Sequence, residues 1–414
     1  MTVGPRRFVN VEQARAQFGP AVDRLGVLLL RGDLLADRAV ESLAALPKAR
    51  AMAMVDQAIT RGIATVRDAP AELVSLFEEV ETVPAWLDKG ALERGGQLLF
   101  RVGWFGGLAL AASLLFGYAS PAGNKPLVFS GRLVEQTPRR LAETSRFVEQ
   151  TCTPNGLALH AEGYAITVRV RIMHAYVRRM LRASAGWKEA EWGVPANQHD
   201  MGATSLLFSI VVIDSLRNFG FLLSDEEVHL YMQLWRYSGY LIGVDNEVLP
   251  TSEHDARRLL DMIGLTEEGP DDDSRRLSRA LFASGETPAR ATEAERKRAE
   301  KTVRLGQGLI RGVLGEELSD QLDVPRHEYR YAFGPVKSLV RAAELAASRA
   351  PAALSERYRA RGIASGRAYW DMVVRSTGEP ISFPPPDALL GKIANVAEAS
   401  TRNRNTLGSY ARPR

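Results

Sequence analysis

Apolar residues along this chain recur mostly at helical spacing. Leu73, Val74, Leu76, Phe77 and Val80 follow Pro70 and predict one short amphipathic helix. A second runs over Arg132–Gln150, and a long third from Leu157 to about Ala185, with Val168, Val170, Ile172, Met173 and Val177 along it. Met201–Phe219 is apolar nearly all round, stops at Gly220, and reads as a buried helix. Ser224-Asp225-Glu226-Glu227 is a capping box that opens a helix carrying Leu230, Tyr231, Leu234, Trp235 and Leu241. Further helices are predicted near Thr251–Ile263, Pro288–Leu314, Val336–Ala360 and Ala388–Ala399. The short strand-like run Val27–Leu30 has no partner with hairpin chemistry. Glu267–Ser274 reads as a surface loop and Pro380–Pro386 as a rigid connector. There is no internal repeat. The expected fold is all-α, with one large helical domain over residues 1–395 and a mobile basic tail over 396–414.

Val102–Asn124 complicates this picture, because its 23 residues carry no charge. That length could cross the ~30 Å apolar layer of a bilayer. Gly103, Gly106, Gly107 and Gly117 interrupt its bulk, however, and its end (Ser120, Pro121, Gly123, Asn124) is turn-like. A buried core helix is the expectation, and a membrane contact the alternative. Near the N-terminus, Arg6-Arg7 is followed by Asn10, Glu12, Gln13, Arg15 and Gln17 rather than by an apolar stretch. No export is expected, which makes the cytoplasm the expected location.

Composition narrows the function classes. Only 8 of the 53 basic residues are lysine, acids are interspersed, and the net charge is +4, so no nucleic-acid partner is expected. The lone Cys152 excludes an intrachain disulfide and any Cys-rich metal site. Phosphate-loop, dinucleotide-binding, nucleophile-elbow and zinc-protease motifs are all missing. Glu226-x-x-His229 has di-iron spacing but lacks the second such motif that a di-iron bundle needs, so a solvated face is expected.

Two places could carry chemistry. His174 sits mid-helix in apolar surroundings; it is either a hydrogen-bonded core histidine or the single imidazole that a haem iron requires. Small Ala175 lies beside it, and Arg171 and Arg178 could pair with haem propionates. Arg140, Glu143 and Thr144 share one helix face, which is either solvated or turned into a pocket by Phe147 and Val148.

These stretches together resemble the latex-clearing-protein type rubber oxygenases and the endoplasmic-reticulum-bound oxygenase of mycophenolic acid biosynthesis. Val83-Pro84-Ala85-Trp86, Arg94-Gly95-Gly96, and Arg140 with Thr144 thirty residues before His174 carry the likeness. It continues in Val170-Arg171-Ile172-x-His174-Ala175-x-Val177-Arg178 and in Trp192-Gly193-x-Pro195-x-Asn197-Gln198-x-Asp200. Glu226-Glu227 leading to Trp235-Arg236-Tyr237-x-Gly239 completes it, over about residues 82–250. The resemblance implies a globin-like core holding haem b, with His174 as proximal ligand and Arg140 and Thr144 in the pocket. It implies O2-dependent cleavage of a carbon–carbon double bond in an isoprenoid, along a channel lined from Val102–Phe116 and Met201–Leu216. Glu143 stands where some rubber oxygenases carry a distal lysine, and Asn124-Lys125-Pro126 replaces an upstream glutamate. With no secretion signal expected, these departures favour a smaller prenyl or terpenoid substrate. A haem-binding sensor or carrier without turnover, and a membrane-associated helical protein without cofactor, are the alternative readings.

Overall fold

A computed structural model describes residues 4–129, 137–283 and 292–375. Among the described residues every regular element is helical, as the periodicity predicts. Leu73, Leu76, Phe77 and Val80 are all buried on one side of helix Ala71–Glu81, at the spacing that puts apolar residues on one face. Ser224 and Glu227 make both hydrogen bonds of the capping box and open helix Asp225–Leu241.

Two predicted helices are each split in two, for local reasons. The Met201–Phe219 run is broken at Ser209 (φ −106°, ψ −90°) into Gln198–Phe208 and Ile210–Asn218. There the Ser209 hydroxyl donates back to the Ser205 carbonyl at 2.8 Å, competing with the backbone ladder. The predicted Val336–Ala360 helix becomes Phe333–Arg349 and Ala352–Arg375, because Pro351 forces Ala350 into extended backbone (ψ 156°). Val27–Leu30 is not strand-like but closes helix Ala21–Leu28, with Leu28 and Leu29 buried and Leu30 exposed. The long third helix begins later than its apolar pattern, at Glu162, after His160 takes a left-handed turn (φ 64°). The Arg132–Gln150 helix is described from Thr137 to Cys152. The Pro380–Pro386 connector, the Ala388–Ala399 helix and the basic tail lie outside the described residues.

The core is one large cluster built by most of these helices, with a smaller one under Leu115, Leu277, Ile310 and Leu322. Helix Trp104–Tyr118 packs into both, burying Ala109, Leu110, Ala112, Ser113 and Leu115. Its small residues let neighbours close in: a Cβ on Gly117 would lie 2.5 Å from the Leu207 side chain. The run Gln198–Asn218 has the length and hydropathy of a membrane span, yet 56% of its apolar window is buried in the fold. Lys89–Arg101 and Trp104–Tyr118 pass the same test only as a pair, bent by 96°.

Candidate functional site

Helix Glu162–Ala183 has two working faces. Arg171, Ala175 and Arg178 turn inward to the N-terminal helices. The Arg171 Nε donates to Asp33 Oδ2 at 2.7 Å, and its Nη2 lies 2.7 Å from Glu79 Oε1. The Arg178 Nε donates to Asp37 at 2.7 Å and its Nη1 to the Ala196 carbonyl at 2.6 Å. Asp33 also caps helix Leu34–Ala44 by accepting from the Ala36 amide, so these ion pairs lock the two helices together. Val170, Met173, His174 and Val177, at i, i+3, i+4 and i+7, line a cavity of about 640 Å³.

A second wall repeats that spacing. Arg140, Glu143, Thr144 and Phe147 of helix Thr137–Cys152 line the same cavity. The Arg140 face is therefore a cavity wall and not a solvated stripe, while the exposed Arg139 bonds Glu143 at 3.2 Å. Phe208 and Trp235 stack at 5.0 Å and 12°, with Phe147 edge-on to both, and all three line the cavity. Leu114 and Phe116 from the first apolar segment, and Met201 and Leu207 from the second, complete apolar walls.

The structure thus gathers His174, Arg140 and Thr144 at one cavity, and leaves Arg171 and Arg178 out. Both arginines are buried in ion pairs with carboxylates of the protein and do not line the cavity, which corrects their expected role as propionate partners.

The His174 side chain makes no hydrogen bond among the described residues, and its Nδ1 is buried without a partner. Burial first, then the charge of Arg178 and, more weakly, that of Arg140, push its imidazole down to about 4, against an opposing pull from Asp33. It is therefore neutral at pH 7, the form that ligates a metal. A cavity of several hundred Å³ with one unpartnered neutral imidazole and a few polar groups fits a haem-sized cofactor. Leaving such a ring buried without a ligand would cost ~1–3 kcal/mol.

A second polar cluster, centred on Arg7, meets the cavity through Ser120, Asp200 and Glu267, and residue spacing alone does not reveal it. Arg7, 2% exposed, donates to Asp200 at 2.9 Å, to Glu267 at 2.6 Å and to Ser120 Oγ at 3.2 Å. The residues expected to form a surface loop start at this half-buried Glu267, and Lys125 then holds Asp271 and Asp273 at 3.2 and 2.7 Å. Burial opposes the charge of Asp200, but the adjacent Arg7 and the contact from His199 hold its carboxyl well below the usual range. His199, Asp200 and Glu267 have donor atoms within 4.8 Å of one another, close enough for a metal ion. The Arg7 guanidinium already supplies the cation there, bonded to both carboxylates. Glu226 is exposed and pairs with Arg94 at 2.7 Å, and His229 is exposed beside it, as a solvated face requires.

The family model described as "ER-bound oxygenase mpaB/B'/Rubber oxygenase, catalytic domain" matches residues 97–345. The chain belongs to this family. Within the mpaB/rubber oxygenase family, the rubber oxygenase of Streptomyces sp. (strain K30) is 26% identical over 200 residues, 48% of this chain and 47% of that protein. The chain thus spans about half the length of that curated relative. The solved structure of latex clearing protein LCP in the closed state superposes with a TM-score of 0.58 at 18% identity. That match covers 83% of this chain and 91% of the other, and it shows a shared helical fold. The matched region of this mpaB/rubber oxygenase member contains both cavity helices, with Arg140, Thr144 and His174.

Proposed function

We propose that this family member binds one b-type haem through His174 and, with O2, cleaves a carbon–carbon double bond of an apolar isoprenoid or terpenoid substrate. The observation that carries the reading is His174, an unpartnered, neutral imidazole on the wall of a 640 Å³ cavity whose second helix presents Arg140 and Thr144. The chain has no Cys-x-x-Cys-His, so attachment is noncovalent. When bound, the haem supplies the activation of dioxygen, chemistry that belongs to the cofactor. The protein holds the iron through His174 in a helical core of globin-like role. Arg140 and Thr144 place charge and a hydroxyl at the cavity surface. Phe147, Phe208, Trp235 and Leu207 exclude water and align an extended apolar chain along the walls. The name of the Streptomyces relative fits a polyisoprene-type substrate, and a cavity of about 640 Å³ favours a short prenyl or terpenoid chain. Its place of action in this reading is the cytoplasm.

Haem-supplemented protein incubated with a prenyl alkene and O2, followed by mass spectrometry, tests it. Aldehyde or ketone fragments that disappear in His174→Ala are expected. Haem-replete protein that leaves every alkene intact would reduce the chain to a haem carrier.

A further inference from the structure

The cavity presents one more polar group. Tyr118 is the last residue of helix Trp104–Tyr118, 6% exposed, and it lines the cavity together with Arg140, Thr144 and His174. Its backbone is fixed: the Asn124 Nδ2 donates to the Tyr118 carbonyl at 3.0 Å, and to the Ser120 carbonyl at 2.7 Å. Its ring is held in the smaller core cluster beside Leu115 and Ile310. Yet its hydroxyl has no hydrogen-bond partner among the described residues. Of the other phenols, Tyr231 donates to the Phe208 carbonyl at 3.0 Å, Tyr240 to the Glu79 carbonyl at 3.0 Å and Tyr358 to Glu344 at 2.9 Å, while Tyr164, whose buried hydroxyl also lacks a partner, does not line this cavity. An unpaired hydroxyl on a residue that lines a ligand-sized cavity is placed to meet the ligand. Burial raises the phenol above its ordinary value, against a smaller opposing effect of the Arg140 charge, so it stays protonated and can donate. Arg140 acts electrostatically on both Tyr118 and His174, which sets the three around one region of the cavity.

We propose that Tyr118 donates a hydrogen bond to an oxygen atom of the ligand held in this cavity. The inference rests on the cavity being the substrate and cofactor site argued above. The oxygen has two possible sources, a diatomic molecule at the iron or an oxygen function on the substrate. Tyr118→Phe separates them, because it deletes the hydroxyl and keeps the ring that packs in the core.

In the first arm, ferrous haem-loaded protein is saturated with carbon monoxide and the C–O stretching band is read by infrared. Loss of a donor near the oxygen is expected to move the band to higher wavenumber in Tyr118→Phe. In the second, calorimetry compares a prenyl alcohol with the hydrocarbon of the same chain on the purified full-length protein. Loss of one net hydrogen bond predicts a roughly 2- to 12-fold weaker alcohol affinity in the variant, with the hydrocarbon unchanged. A moved band assigns the donor to the diatomic ligand, and a weakened alcohol assigns it to the substrate. An unmoved band together with an unchanged alcohol-to-hydrocarbon ratio, in variant protein of wild-type haem content and melting temperature, would overturn the proposal. Protein that takes up no haem would refute the haem reading separately, and the calorimetric arm would still decide Tyr118.

Discussion

Acidification of the ligand-free protein should expose the state of His174. In the unfolded chain a histidine takes up its proton near pH 6.5, whereas in the fold burial and the neighbouring arginines push this one down to about 4. Between those values the unfolded state binds the proton and the folded state does not, so stability falls as pH falls through this window. Each unit of separation corresponds to about 1.4 kcal/mol, which gives roughly 2 kcal/mol lost between pH 7 and pH 5 and about 3 by pH 4. His174→Leu removes the titration while filling similar space with an apolar side chain. Urea denaturation of both proteins at pH 7 and pH 5 isolates the effect, since every other titrating group is shared. The wild type should lose about 2 kcal/mol more than the variant over that interval. Parallel losses would refute the claim that His174 is neutral and unpartnered.

Three further outcomes follow from the packing. Arg7→Met should destabilise the protein by ~3–5 kcal/mol, because Asp200 and Glu267 would be left facing each other without their cation; urea unfolding measures it, and adding Asp200→Asn should recover part of the loss. Arg140→Ala should lower the haem-to-protein ratio after gel filtration, an effect beyond the ~0–1 kcal/mol of an exposed ion pair; a wild-type ratio would remove Arg140 from the pocket. Cell fractionation should return the protein in the soluble fraction, and recovery only in carbonate-resistant membranes would contradict the burial of Trp104–Tyr118 in the core.

What the sequence showed and what it hid have a common cause. Helix period, capping boxes and the paired stripes 140/143/144/147 and 170/173/174/177 are local, so residue spacing alone displays them. The Ser209 break was not legible, because a hydroxyl that turns back on its own helix looks like any mid-helix serine. Arg171 and Arg178 flank His174 in sequence and so looked like its partners. Their guanidiniums point to another face, where Asp33 and Asp37, more than 130 residues away, claim them. Arg7 is the extreme case, meeting carboxylates 193 and 260 positions downstream. No pattern in a single chain marks such a contact. Tyr118 had a weak signal, a hydroxyl-bearing ring at the end of an otherwise apolar run, whose unpaired state appears only once the cavity is drawn around it.

The most direct test of the haem site is a visible absorption spectrum of purified, haem-supplemented protein beside His174→Ala. A Soret band at one haem per chain in the wild type, lost or greatly weakened in the variant, is the predicted result. No Soret band in the wild type, or an identical band in both proteins, would contradict it.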